Sequence, residues 1–334
     1  MLNQIYEQAS GVKKLIQQRE FVLVVILVAM CLIIGNHNQG FWTIANFKGL
    51  ARSFALDSVV LIGMTFLLIS GMFDISVASV MAFSSFSFTF LFVNGTPLLL
   101  AALITLAAAA VIGFTNGFII TKFKVNPFIT TLSTQTIVRG LVQALSQGRP
   151  IRAAAKNFTI YSTSEIFGIP TVFIVAVAIL IFVDVLLRNI RYFRQLYFIG
   201  GNETSAELIG IDVNKTRIVF FIVTAMLAAV SGMLSATRLE GANPTAYAGK
   251  EMQLLVAAVV GGCSLNGGEG TMFGSALGLL FMFILNNGLI MFRVDIFWFN
   301  FAVGFFLIIV VLINTFSSEA ISKRDRRNFE QAKS

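Results

Sequence analysis

The segment LYFIGGNETSAELIGI (Leu196–Ile211) is a polar, glycine-punctuated island between two long apolar stretches, roughly 168–187 and 217–236. Gly200–Gly201 permits a tight bend, and Asn202 is placed to cap a helix with Ser205 close behind. The run TSAELIG then has the length of two helical turns, with Gly210 as the stop signal. A bend and a short helix between apolar segments predict a helix lying across a membrane surface, free to enter a cleft of a soluble partner. The island therefore decides the fold only if its flanks cross a bilayer.

Composition says that they do. The 334 residues are 57% hydrophobic and 12% charged, with mean hydropathy +0.85, too apolar for one water-soluble core. A bilayer core about 30 Å thick needs about 20 apolar residues per helix. Backbone amides in lipid have no water partners, so spans are helices or closed barrels. The apolar runs are too long for barrel strands of about 10 residues. The reading is an all-α polytopic membrane protein with about ten helices: 21–37, 54–71, 76–93, 98–120, 127–145, 168–187, 217–236, 252–264, 271–291 and 296–316. Residues 1–20 form a leader, 21–316 the transmembrane domain and 317–334 a basic tail.

Charge placement orients the chain. With the N-terminus inside, 15 Lys and Arg fall in cytoplasmic segments and 8 outside, with Arg139 inside a span. The positive-inside bias places both termini in the cytoplasm. It also assigns the net charge of +8 to loops and lipid headgroups rather than nucleic acid. Ile5, Val12, Leu15 and Ile16 give the leader an amphipathic surface pattern, and it lacks a cleavable signal-peptide pattern.

Absences narrow the chemistry. His37 is the sole histidine, and Cys31 and Cys263 belong to different spans, so neither a metal centre nor a Ser–His–Asp site is indicated. Gly262 and Gly267 have the spacing of a phosphate loop, but Gly268–Glu269 follows where Lys and Ser/Thr are required. ATP hydrolysis by that machinery would belong to another polypeptide. Paired catalytic carboxylates are lacking too. An ion-coupled secondary transporter or channel is the alternative, but it needs buried coupling groups, and the embedded acids are few: Asp57, Asp74 and Asp184.

Polar residues inside spans mark the candidate pathway. Asp74 follows Gly71, which permits a break, and stands with Ser76 and Ser79. Capping of the third span and contact with a passing solute are both open roles. In VVGGCSLNGGEGT (Val259–Thr271), Gly261, Gly262, Gly267, Gly268 and Gly270 are too many for an uninterrupted helix. They predict a second break, with Asn266 in it, or close small-residue packing. Asn116, Thr131, Gln135 and Arg139 add polarity to the fourth and fifth spans, where bonding between helices competes with solvation of a sugar.

These two islands, with GMFDIS (Gly71–Ser76) and KVNPFITTLSTQTIVRG (Lys124–Gly140), stand in the order seen in one transport family. From about Asn46 to Asn314 the chain resembles permease subunits of ATP-binding-cassette importers for ribose and other simple sugars, including autoinducer-type permeases. That family is shared distantly with branched-chain amino-acid permeases. The resemblance implies an ATPase-coupling loop at Gly200, Gly201, Asn202, Glu203, Ala206, Leu208 and Gly210. It also implies a second permease chain, a cytoplasmic ATPase that binds the ATP, and a periplasmic or surface-tethered solute-binding protein. No cofactor on this chain is implied. Departures from the family pattern are Ile75 and Ala78 for Leu and Gly, and Glu207 where a basic residue is common.

Overall fold

The computed structural model describes residues 2–309 except 154, 156–157, 160–163 and 296, with side chains from Glu20 onward. The tail at 317–334 and the last part of the predicted tenth span lie outside the described residues. Each of the ten predicted stretches overlaps a helix, the tenth as far as the described residues go. In chain order these are α1 (Leu2–His37), α2 (Ile44–Ile69), α3 (Val77–Val93), α4 (Leu98–Phe123) and α5 (Pro127–Ser146). After a loop come α6 (Thr171–Asn189), α7 (Arg191–Gly201), α8 (Glu203–Leu208) and α9 (Val213–Arg238). The series closes with α10 (Lys250–Val260), α11 (Met272–Met291) and α12 (Phe297–Ile309). Among the described residues, strand structure is confined to two short antiparallel pairs: β1 (Ile151–Arg152) with β4 (Gly241–Ala242), and β2 (Glu165–Ile166) with β3 (Ile169–Pro170).

Among the described residues, six helices are long and apolar enough to cross a membrane: α2, α4, α6, α9, α11 and the Glu20–His37 part of α1. The predicted span 252–264 is the 11-residue α10, about 16 Å long, or half the bilayer core. The leader is not a separate surface helix, since α1 runs unbroken through it for 36 residues.

Local chemistry sets the helix ends. Asn126 accepts the Phe128 amide at 2.8 Å with Pro127 at the first position of α5. Asp212 caps α9 through the Lys215 amide at 3.0 Å. Thr271 caps α11 through Gly274 and donates its hydroxyl to Glu20 Oε1 at 2.8 Å.

Burial separates centre from periphery. The apolar window of α2 is 89% buried, against 22% for α1, α4 and α6, whose bare faces suit lipid. Helix α9 packs against α2, α3 and α4. Close approach is possible because a Cβ at Gly113 would lie 2.6 Å from the Phe221 carbonyl, and one at Gly117 2.8 Å from Ile218 Cα. An apolar groove of about 580 Å³ runs between α1, α2, α6 and α11, walled by Phe41, Phe54, Phe173 and Phe283. Asp184 is its one charged wall residue, so its chemistry suits hydrocarbon rather than a sugar.

Candidate functional site

The quoted island folds into α7, a bend and α8. The bend is at Asn202, whose φ is −160°, and its side chain accepts the Ser205 amide at 2.9 Å. The expected glycine bend is absent: Gly200 and Gly201 are the last helical residues of α7, and neither has a positive φ. Gly210, at φ +85°, ends α8. There Ile211 donates its amide to Ala206 at 3.1 Å and Gly210 donates to Glu207 at 2.9 Å, the paired bonds of a left-handed helix stop. Ala206 is buried with Ile199 and Val213, which fixes α8 on the body of the protein. Leu208 and Ile209, by contrast, are 83% and 66% exposed. Glu203 anchors the start of α8 to Arg217 at 2.9 Å, and only 8% of the Arg217 side chain is exposed.

Gly200 is small for a different reason. A Cβ there would collide with the Ile69 carbonyl and the Gly268 amide, whereas one on Gly201 would meet nothing within 4 Å. Three backbones meet at this point: the end of α2, the end of α7 and the α10–α11 loop. Gly267 packs with a Cβ position 2.7 Å from Gly71 Cα and 2.8 Å from Gly200 Cα. Gly268 donates its amide to Ile69 at 2.8 Å, and Tyr197 donates its hydroxyl to the Gly270 carbonyl at 2.8 Å. Positive φ at Gly71, Gly267 and Gly268 (+75°, +87° and +77°) makes the turns possible. Gly261 belongs instead to the α10–α11 crossing, against the Gly274 carbonyl, and Gly262 stands in open space. Asn266 is exposed beside the junction, with its carbonyl oxygen 3.4 Å from the Cβ position of Gly71.

A buried polar chain begins three residues after Gly71. Asp74 Oδ1 accepts the Ser76 amide at 2.7 Å and the Ser76 hydroxyl at 2.6 Å. Asn116 on α4 donates to Ser76 Oγ at 3.0 Å and accepts from Thr134 on α5 at 2.6 Å. Ser79 donates back to the Ser76 carbonyl at 2.7 Å. Asp74, Ser76, Ser79 and Asn116 are all fully buried. Asp74 closes the turn ahead of α3, and Ser76 is the residue at the helix boundary, with no side-chain cap bond of its own. Asp74 Oδ2 has no partner.

The remaining candidates lie elsewhere. Thr131 donates its hydroxyl to the Pro127 carbonyl within its own helix at 2.8 Å. Gln135 donates to Glu251 Oε1 on α10 at 2.9 Å. Sequence reasoning passed over Glu251 because it stands at the edge of an apolar run, where a charge reads as loop. It also passed over Arg217 and Tyr197. Their partners are distant in sequence or are backbone carbonyls, and residue type alone gives no sign of either.

The comparisons with known proteins match this architecture. Residues 46–312 match the family described as branched-chain amino acid transport system / permease component. The chain is 31% identical over 306 residues to the ribose import permease protein of Haemophilus influenzae, covering 90% of this chain and 94% of that protein. It is 34% identical over 290 residues to the ribose import permease protein of Bacillus subtilis, covering 86% and 90%. It is 32% identical over 300 residues to the L-arabinose transport system permease protein of Escherichia coli, covering 90% of each. With its apolar helices, exposed surface helix and glycine-built turns, the chain belongs to this family of membrane transport permease components.

Proposed function

We propose that this permease is the membrane subunit of an ATP-binding-cassette importer that carries a small neutral sugar across the bacterial cytoplasmic membrane. The observation that supports it most is α8: a short capped helix with Leu208 and Ile209 bare, backed by three backbones from the membrane domain. Adjacent bare apolar residues on a surface helix outside the long apolar spans suit contact with a partner. A soluble ATPase pressing on α8 would displace the end of α7, and with it the turns that hold Asp74 and Asn266.

In this reading all ten helical stretches of residues 21–316 belong to the membrane domain, α10 entering it only partway, and both termini are cytoplasmic. ATP is bound and hydrolysed on the partner, and a solute-binding protein delivers cargo to the outer face. A second permease chain completes the pathway. Helix α5 supports that last element, because Ser133, Thr136 and Gln143 are exposed on it. Polar groups facing lipid are disfavoured, and a second chain or a water-filled path would cover them. Three of the acids are held in ion pairs, Asp57 with Lys250, Glu203 with Arg217 and Asp184 with Arg188, and few charges are left to face a neutral polyol.

The test is uptake of labelled D-ribose and L-arabinose by cells with and without the chain. Uptake that needs the chain, the ATPase and the binding protein supports the reading. Uptake driven by an ion gradient in the absence of the ATPase overturns it.

A further inference from the structure

Three side chains from α5 and α10 meet away from the Asp74 chain. Gln135 donates to Glu251 Oε1 at 2.9 Å. Arg139, one helical turn after Gln135, is held by the carbonyls of Ala246 at 2.5 Å and Pro244 at 3.5 Å through Nη1. Glu251 is only 8% exposed, yet its Oε2 has no hydrogen-bond partner, and neither has the buried Arg139 Nη2. The guanidinium acts on the Glu251 carboxylate electrostatically without a direct bond between them. Each charged group is thus half anchored and half unsatisfied, an arrangement that native interiors avoid unless something else supplies the partner.

We propose that Gln135, Arg139 and Glu251 form a hydroxyl-recognition subsite for a neutral sugar on the wall of the translocation pathway. Glu251 Oε2 accepts from one hydroxyl, and Arg139 Nη2 donates to a neighbouring oxygen. A hydroxyl both donates and accepts, so adjacent hydroxyls satisfy both orphaned atoms with no net charge. Gln135, Arg139 and Gln143 recur at every fourth residue and so share a face of α5. Gln135 and Arg139 are half-buried and Gln143 exposed, so this face leads outward from the two buried atoms. The anchoring bonds fix both charges before the solute arrives, and because Glu251 Oε2 and Arg139 Nη2 are themselves buried, the facing helices part locally to admit a hydroxyl. This inference rests on the sugar-permease reading and adds to it a selective step inside the permease.

The experiment uses the permease with its ATPase and binding protein in proteoliposomes. The probes are the sugar that the wild type transports among D-ribose and L-arabinose, and the set of its monodeoxy derivatives. Glu251→Gln and Gln135→Met are compared with wild type at equal inserted amounts. Uptake of the parent sugar is expected to fall about tenfold, the loss of one charge-assisted hydrogen bond. At least one monodeoxy derivative should fall much less, because it lacks the hydroxyl that the carboxylate accepts. Equal losses for the parent and every derivative, or no loss in either variant, would overturn the subsite. If Glu251→Gln fails to insert, Gln135→Met decides by the same comparison. Wild-type vesicles that import no sugar would instead overturn the sugar-permease reading itself.

Discussion

The backbone amide of Gly268 donates to the carbonyl of Ile69 at 2.8 Å, joining the α10–α11 loop to the end of α2. Gly200 lies against the same carbonyl, so the residue three positions before α8 touches both turns of the membrane domain. A push on α8 would be passed on through backbone, which yields less than side chains do.

Gly200 and Gly201 are therefore unequal. Gly200→Ala forces a methyl into backbone that cannot give way, at a cost of about 1–3 kcal/mol. Gly201→Ala meets open space. ATP-driven uptake should drop severalfold in the first variant and stay near wild type in the second, with ATPase subunit still bound in both. Equal losses would show that the pair acts through flexibility and not through the junction.

Reversing Glu203 to Lys sets a cation against Arg217, which is almost fully buried. The N-terminal end of α8 should detach while the Asn202 cap remains. Co-purification of the ATPase subunit should weaken, and Leu208→Asp should weaken it further by placing charge at the bare apolar tip. Full recovery of the ATPase with both variants would reject α8 as its docking site.

Asp74 and its amide are distinguishable. Asn keeps an oxygen for the two Ser76 bonds, whereas Ala loses both, at about 0.5–2 kcal/mol for a lost capping contact. The inserted amount should hold for Asp74→Asn and fall for Asp74→Ala. Uptake per inserted molecule then reads any part the carboxylate plays in transport. Undiminished uptake per molecule in both variants would confine Asp74 to structure.

The β2–β3 hairpin is tied to α2 through Glu165, which bonds Lys48 at 2.6 Å and Arg52 at 2.8 Å. The Lys48 hydrogen bond, aided by the charges of Lys48 and Arg52, holds the Glu165 carboxyl below its ordinary value of 4.5. A depressed carboxylate stabilises the fold above its unfolded pKa, and that contribution is lost as pH falls through the folded value. Protease cutting of the hairpin should therefore rise in acid in the wild type. In Glu165→Gln it should be high at all pH values, and a pH-independent wild type would contradict the tie.

Helices were legible because long apolar runs have one solution in lipid, and Asn126–Pro127 announced the start of α5 with its own cap. Span count was less legible: α10 borders Gly261 and Gly262, and apolarity does not reveal that only 11 residues stay helical. Glycine patterns gave the existence of the turns but not their meeting, since Gly71, Gly200 and Gly267 are far apart in sequence. Which glycine of the 200–201 pair is packed depends on Ile69, and nothing local to the pair records it. Likewise Ser76 with Asn116 and Gln135 with Glu251 are pairings across helices, set by packing around α3 and α10 rather than by any motif.

The central claim is tested most directly by uptake in proteoliposomes that contain this chain, its ATPase and its binding protein, with ATP enclosed on the ATPase side. Labelled D-ribose or L-arabinose should accumulate only when ATP, ATPase and binding protein are all present, and the chain alone should hydrolyse no ATP. Sugar accumulation without the ATPase, or ATP hydrolysis by the purified chain free of contaminants, would contradict the account.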